Sequence, residues 1–145
     1  MPVPVSDDTP SPLLLLLPLL SRVLAPPAHL SARLTKTQLL IVTALSYHES
    51  FHMSQLAAYL SFSKEQATRA AAPLVEAGLV ERFAQSENRT RVFLRLTADG
   101  KNLADELRAQ FSSQLKACVS ASLSEPEQLE LREAAETLVR LLSKI

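Results

Sequence analysis

The 145-residue sequence predicts a mainly helical domain that carries one small β-hairpin. Apolar residues recur at helical spacing behind capping motifs, whereas strand-like alternation is confined to a short region near the middle. Two glycines and 5% aromatic residues are too few for a β-sandwich or barrel, and no glycine cluster could cradle a phosphate or a dinucleotide. With 47% hydrophobic and 21% charged residues, the chain is long enough and apolar enough to fold as one domain.

The first predicted helix is rich in leucine. It begins at Ser11-Pro12, typical of an N-cap followed by proline at the first helical position, and ends at Pro26-Pro27. The leucine run suggests a signal-peptide core, but Asp7 and Asp8 precede it where basic residues are required. It is also shorter than the ~20 apolar residues of a membrane span. Because nearly every face is apolar, we expect other helices or a second subunit to cover this helix.

Three capping boxes predict the starts of further helices: Thr35–Gln38, Ser63–Gln66 and Ser124–Glu127. A short helix that begins at Ser54 lies between the first two. Gly78 stands where the helix that begins at Ser63–Gln66 needs a left-handed C-terminal cap.

A hairpin and a long helix follow. Leu79–Phe83 and Arg91–Leu96 are strand-like, and the polar Ala84–Thr90 stretch between them predicts a hairpin tip. In the second strand the alternating residues predicted to be buried are Val92, Leu94 and Leu96. Thr97 caps the long helix, whose predicted apolar stripe is Leu103, Leu107, Phe111, Leu115 and Cys118. Cys118 is the single cysteine, which permits no internal disulfide, and we interpret it as core or dimer packing.

These elements, in this order, resemble a known family. The segment that begins Met53–Arg69 and ends Leu74–Arg82 resembles the helix-turn-helix of the MarR family of winged-helix transcription regulators. Leu96–Gly100 is similar to that family's hinge from the wing into the long dimer helix. The resemblance, from about Leu34 onward, implies a winged helix-turn-helix with a helical dimerisation module. The implied single domain spans 1–145, with a DNA-binding lobe at about 35–97 and dimerisation helices at about 11–33 and 98–145.

The resemblance also implies a function. We expect a cytoplasmic homodimer that binds a palindromic operator in double-stranded DNA as a transcriptional regulator, most simply a repressor. Members of the family often respond to a small molecule, and from the resemblance we expect an aromatic acid or a phenol, bound between the dimer module and the DNA-binding lobe. No membrane partner is implied.

The helix from Ser63 to Ala77 is the predicted DNA reader, because a projecting helix fits the major groove. The predicted DNA-binding residues are Ser63, Lys64, Gln66, Thr68, Arg69, Arg89 and Arg91. Arg69 and Gln66 have the forked geometry that reads guanine and adenine edges, and the other three residues on this helix suit phosphates. The two wing arginines suit a minor groove or the backbone. Between Leu60 and Gly100 six basic residues face five acidic ones, so the order of the elements and not the charge favours DNA binding.

Three positions depart from the family pattern. Ser61 replaces the usual glycine of the turn, which is tolerable if the backbone there is not left-handed. In the wing, Glu87-Asn88-Arg89 is the nearest match to Asp-x-Arg. Pro73 lies inside the recognition helix, where it deprives the carbonyl of Arg69 of its helical partner and favours a kink. An alternative function is therefore a winged-helix dimer that has lost DNA reading and acts by protein contact or ligand sequestration.

His48-Glu-Ser-Phe-His52 matches the H-E-x-x-H motif of zinc peptidases, in which one helix brings both imidazoles to the metal. Here it straddles the end of one helix and a strand-like entry to the next, and no later histidine completes a ligand set. Surface histidines are the favoured interpretation, and a regulatory metal site that uses His48, His52 or His29 remains an alternative. No nucleophile, base and orienting group come together in the sequence, so we expect a non-enzyme without a cofactor or a resident metal.

Overall fold

The computed structural model of the chain describes residues 11–85 and 88–145, and the side chains at 88–90 fall outside that description. Asp7, Asp8 and Glu87, which entered the sequence arguments, therefore lie outside the described residues. The elements in chain order are α1 (Pro12–Val23), α2 (Ala28–Ser31), α3 (Lys36–Tyr47), β1 (Phe51–His52), α4 (Met53–Tyr59), α5 (Lys64–Glu76), β2 (Val80–Gln85), β3 (Asn88–Leu96), α6 (Ala98–Ser122) and α7 (Glu125–Leu142).

The predicted fold class is confirmed: the chain is mainly helical, with one small antiparallel sheet as the wing. The sheet has the order β1-β3-β2, with Phe51 paired to Leu94 and Val80 paired to Leu96. By contacts the chain divides into two compact units. One comprises residues 26–110, and the other comprises residues 111–145 with the segment up to Ala25.

The start of each predicted helix is built as its capping motif indicates. Ser11 accepts a bond from the N–H of Leu13, and Thr35, Ser63 and Ser124 each form a reciprocal capping box with the residue three positions later. A fourth box, absent from the sequence prediction, begins α4 at His52. These contacts satisfy backbone N–H groups that the first turn of a helix leaves unpaired.

The core lies in the unit of residues 26–110. Its fully buried large side chains come from α2, α3, α4, α5 and the sheet: Leu30, Ile41, Val42, Leu56, Leu74, Val80 and Leu94. Leu103 and Leu107 of α6 are also buried, as the predicted stripe requires. This core fixes the two helices of the helix-turn-helix and the sheet on one scaffold.

The turn between α4 and α5 corrects one expectation. Ser61 has a φ of +55°, so its backbone is left-handed, the one condition under which a serine was not expected to be tolerated. An L-residue with a Cβ pays roughly 1–2 kcal/mol for this conformation. The predicted left-handed cap after α5 is confirmed, with a φ of +74° at Gly78.

Other predictions need correction. Cys118 is exposed in this chain, because the stripe of α6 beyond Phe111 continues through Leu115 and Val119 instead, so it is no part of the chain's own core. Val92 is 50% exposed, because β3 extends past the core toward the wing tip. Both strands also run into the predicted tip, to Gln85 and from Asn88.

The leucine-rich helix α1 is not covered by the chain itself: in the described structure none of its residues is buried, and Leu17 is 66% exposed. Among the residues described, no helix is long and apolar enough to cross a membrane.

Candidate nucleic-acid interface

Helix α5 presents one buried and one open face. Ala67, Ala71 and Leu74 are at most 1% exposed and pack the helix onto the core. The opposite face holds Arg69, which is exposed, and Lys64 is exposed in the first turn of the helix. The 3.6-residue period produces this division, because positions 67, 71 and 74 repeat at the spacing of one helix face. The helix is therefore anchored along one side and free along the other.

Three of the predicted DNA-binding residues already make hydrogen bonds within α5. The Oε1 of Gln66 accepts from the N–H of Ser63 at 3.2 Å, and the Oγ of Ser63 accepts from the N–H of Gln66 at 3.1 Å. The hydroxyl of Thr68 donates to the carbonyl of Lys64 at 2.8 Å. In this structure the amide of Gln66 thus supports the helix start, and the hydroxyl hydrogen of Thr68 is not offered to a phosphate.

Lys64 and Arg69 are the remaining predicted contacts on α5. Within the described part of the chain, neither forms an ion pair, so both cations are free to meet a ligand. Glu65 and Glu76 are exposed on the same helix, which leaves its charge balanced. An anionic ligand would therefore be recognised by the position of Lys64 and Arg69, not by a strongly positive field.

Pro73 does not interrupt the helix: α5 runs continuously to Glu76, and Pro73 is exposed on its surface. A proline cannot donate the bond that the carbonyl of Arg69 would otherwise receive. The affected position lies in the second half of the helix, beyond Lys64 and Arg69.

The wing places its basic residues differently from the prediction. Arg91 is exposed on β3. Arg89 also lies in β3, but its side chain is outside the described residues. Arg95 is engaged elsewhere: its Nε donates to the carboxylate of Glu81, and its guanidinium lies 4.3 Å from the ring centroid of Phe83. Arg95 is thus a structural residue of the sheet.

Arg82 is a candidate that the sequence reasoning missed. Strand residues alternate between faces, so Arg82 lies on the same sheet face as buried Val80, the face that packs against α5. The side chain itself is exposed. The alternation of strand residues would have identified it, because Arg82 is two residues after Val80 in the predicted strand.

A tight junction joins the end of α5 to the start of α6. Thr97 donates its backbone N–H to the carbonyl of Leu79 at 3.0 Å and its hydroxyl to the carbonyl of Gly78, and its oxygen accepts from the N–H of Gly100 at 3.1 Å. A Cβ on Gly100 would lie 1.9 Å from the carbonyl oxygen of Leu79. The recognition helix is thereby fixed to the first turn of α6 through backbone contacts.

The histidines of the H-E-x-x-H match do not share a helix. His48 is the C-cap of α3 and packs at an angle against Phe51 and Tyr59, with ring centroids 4.7 and 5.0 Å away, whereas His52 is the N-cap of α4. No group of three potential metal ligands occurs among the residues described. The arrangement found in zinc peptidases is therefore not formed by this segment.

Comparison with known proteins gives the same fold. The model of the MarR family matches residues 34–92. A crystal structure of NadR in complex with 4-hydroxyphenylacetate is 25% identical, with a TM-score of 0.72, and the match covers 94% of this chain and 97% of that one. Wild-type MarR from E. coli, in its apo form, is 20% identical over 92% of this chain and 98% of its own, with a TM-score of 0.75. FabT from Streptococcus pneumoniae, solved in complex with DNA, is 19% identical over 77% of each chain, with a TM-score of 0.60. No curated protein matches by sequence.

Proposed function

We propose that this chain is a member of the MarR family and acts as a cytoplasmic transcriptional repressor that binds a palindromic operator as a homodimer and responds to a small ligand. Members of this family are typically DNA-binding transcriptional regulators. The observation that carries the proposal is the division of α5 into a buried face and an open face: Arg69 lies on the open face, Lys64 lies in the exposed first turn, and neither forms an ion pair within the described residues. A helix anchored in this way has the width and the freedom to enter a major groove.

The expected contacts follow from the side chains that remain available. Arg69 is the candidate for base reading, since a guanidinium can bind a guanine edge through two hydrogen bonds. Lys64, in the first turn of the helix, suits a phosphate, and the helix N-terminus attracts the same charge. Arg82 and the wing residue Arg91 are candidates for backbone contacts outside the major groove. Gln66 would have to leave its capping box to read an adenine.

The homodimer is supported by apolar surface on the unit that contains α1 and α7. In the part of the chain described, neither helix buries a single residue, and Leu14, Leu17 and Val139 are 59%, 66% and 67% exposed. An apolar cleft of about 790 Å³ lies between α7 and the second half of α6, lined in part by Leu115 and Leu131. Large apolar side chains exposed to this degree are typical of an interaction site.

A response to a small molecule is supported by a second cleft, within the unit of residues 26–110. This cleft has a volume of about 670 Å³ and lies between the end of α3 and the start of α6. Tyr47 offers an exposed ring there with Lys101 nearby, while Arg108 lies 5.5 Å from the centroid of that ring and pairs with Asp105. An aromatic acid fits this chemistry, because the ring can stack while a cation binds the carboxylate. NadR, a relative of the same fold, was solved with 4-hydroxyphenylacetate.

The test is selection from a pool of random DNA duplexes by the purified protein, at two salt concentrations. We expect enrichment of a palindrome whose half-sites are about one helical turn (~10 bp) apart, with affinity that falls steeply as salt rises. No enrichment by a folded dimer would refute the DNA-binding function. It would favour instead the alternative motivated by Pro73 and the balanced charge, a dimer that acts through protein contact or ligand sequestration.

The dimer itself is tested by sedimentation equilibrium of Leu131→Glu, which places a charge in the apolar cleft. We expect this variant to dissociate at concentrations where the wild type is dimeric. The matched control is Glu133→Gln, on the same helix at an exposed position outside the cleft, which should stay dimeric. A dimeric Leu131→Glu protein would exclude this surface as the interface.

A further inference from the structure

Helix α4 is capped by a histidine where the other capping boxes use hydroxyls. The Nδ1 of His52 accepts from the N–H of Gln55 at 3.2 Å, and the Oε1 of Gln55 accepts from the N–H of His52 at 3.2 Å. The hydroxyl caps are Thr35, Ser63 and Ser124. His52 is thus the one N-cap of these four whose acceptor atom is a ring nitrogen, which can take up a proton.

The hydrogen bond fixes the protonation state of the ring. A backbone N–H can only donate, so Nδ1 must offer a lone pair, and the single ring proton must be on Nε2. Protonation would put an N–H on Nδ1 against the N–H of Gln55. It would also place a positive charge at a helix N-terminus, where the helix dipole favours negative charge. Both effects remove the cap.

The charged groups that share a sheet face with the ring are mostly cationic. His52 pairs with Phe93 across the sheet, with their ring centroids 5.8 Å apart, and strand alternation places Arg91 and Arg95 on the same sheet face. The carboxylate on that face among the described residues, Glu81, is already bound by Arg95. On α4 the titratable group is Tyr59, which stacks on Phe51 and His48 instead. Glu49, in the preceding turn, is exposed.

Helix α4 depends on its cap because it is short. It has seven residues, too few to be stable without its end contacts and its packing. Its buried residues, Leu56 and Ala57, pack in the core beneath α5. A change at the start of α4 therefore reaches the helix that carries Lys64 and Arg69.

We propose that His52 is a proton-sensitive cap: the neutral ring holds α4 in the helix-turn-helix, and a proton on Nδ1 releases the start of that helix. The effect on α4 stands on the structure alone. A resulting loss of operator binding at low pH rests on the proposed function.

Two substitutions imitate the helix with and without its cap. His52→Asn supplies an N-cap that does not titrate, and His52→Ala supplies none. In urea denaturation at pH 8 we expect the wild type to match the Asn variant and to exceed the Ala variant by about fivefold in the folding equilibrium constant. At pH 5.5 the wild type should fall to the level of the Ala variant or below. His48→Gln is the control for the neighbouring imidazole and should keep the full pH dependence.

A direct readout on the wild type does not depend on any variant. Nitrogen NMR of the ring should show an unprotonated Nδ1 at pH 8, and the amide of Gln55 should lose protection from hydrogen exchange at pH 5.5. A protonated Nδ1 at pH 8, or an unchanged gap between wild type and His52→Asn at both pH values, would overturn the proposal. If the cap behaves as expected but no variant binds DNA at any pH, the proposed function fails and the cap remains.

Discussion

The two glycines of this chain are required for different reasons: Gly78 for its backbone conformation and Gly100 for a close contact with Leu79. The substitution Gly100→Ala tests the second reason. Gly100 is the third residue of α6, so helix propensity alone predicts that alanine stabilises the protein by about 1 kcal/mol. The structure predicts the opposite sign. An added Cβ would lie 1.9 Å from the carbonyl oxygen of Leu79 and 3.0 Å from its carbon, and these backbone atoms cannot rotate away.

The size of the stability loss follows from the displacement of α6 that would relieve this clash. Relieving the clash separates α6 from Leu79, which breaks the 3.0 Å bond between the N–H of Thr97 and the carbonyl of Leu79. Overpacking costs ~1–3 kcal/mol and the lost bond about 1 kcal/mol, against about 1 kcal/mol gained in helix propensity. We therefore expect Gly100→Ala to lower the free energy of unfolding by roughly 1–3 kcal/mol.

The matched control is Gly78→Ala. Its Cβ would meet nothing within 4 Å, but its φ of +74° is unfavourable for alanine and costs about 1 kcal/mol after the gain from a stiffer unfolded chain. Urea denaturation with a fitted slope measures both variants. In Gly100→Ala the amide of Thr97 should also exchange faster than in the wild type. A Gly100→Ala protein as stable as the wild type would refute the close contact between Leu79 and α6.

Four further outcomes are expected. Ser61→Gly should raise the free energy of unfolding by about 0.5–1 kcal/mol in urea denaturation, because glycine removes the left-handed strain, and a loss of stability would contradict the positive φ. Arg69→Ala should weaken operator binding by ~1–3 kcal/mol and relax base preference in a competition assay, whereas Arg95→Ala, which breaks a contact within the sheet, should leave base preference intact. The pKa of Glu127 is lowered by the hydrogen bonds from the backbone N–H and then the hydroxyl of its N-cap serine, so its contribution to stability is present above the ordinary glutamate pKa and is lost as pH falls through the lowered value. Glu127→Gln keeps the capping box without the charge, and the stability difference from the wild type, followed by circular dichroism from pH 6 to pH 3, should therefore shrink toward low pH. Pro73→Arg should bind the selected operator more tightly than the wild type in a fluorescence titration, since it restores a helical hydrogen bond and adds a cation, and binding by the variant alone would favour the alternative function.

The sequence predicted the helices well because their starts are decided locally. A capping box depends on two residues three positions apart, so Thr35, Ser63 and Ser124 could be recognised without the fold. Pairing between distant segments was not predicted, although the strand-like segments themselves were. Strand β1 has two residues and exists because Phe51 and His52 pair with β3, some forty residues later in the chain. The capping box of His52 and Gln55 has the same three-residue spacing as the others, but it was not predicted because histidine is an uncommon N-cap residue.

The candidate interface was predictable in outline and not in detail. Helical periodicity alone identified the open face of α5, and the structure confirms that Arg69 is exposed there and that Lys64 is exposed in the first turn. Periodicity cannot say which side chains are already engaged. Gln66 satisfied two patterns at once, as the partner in a capping box and as a base reader, and in this structure its amide takes the first role. The hydroxyl of Thr68 is likewise committed to its own helix.

The balance of charge on α5 bears on how such a protein would achieve affinity. Lys64 and Arg69 are offset by Glu65 and Glu76, so a single subunit gains little from the counterion release that supplies most nonspecific binding. Two recognition helices held in one dimer change this, because the second helix binds at a high effective concentration once the first is placed. In the proposed function, the exposed leucines that would hold the dimer together are therefore as necessary for reading DNA as Arg69 is. A monomer with an intact α5 would retain base preference but too little affinity to occupy an operator.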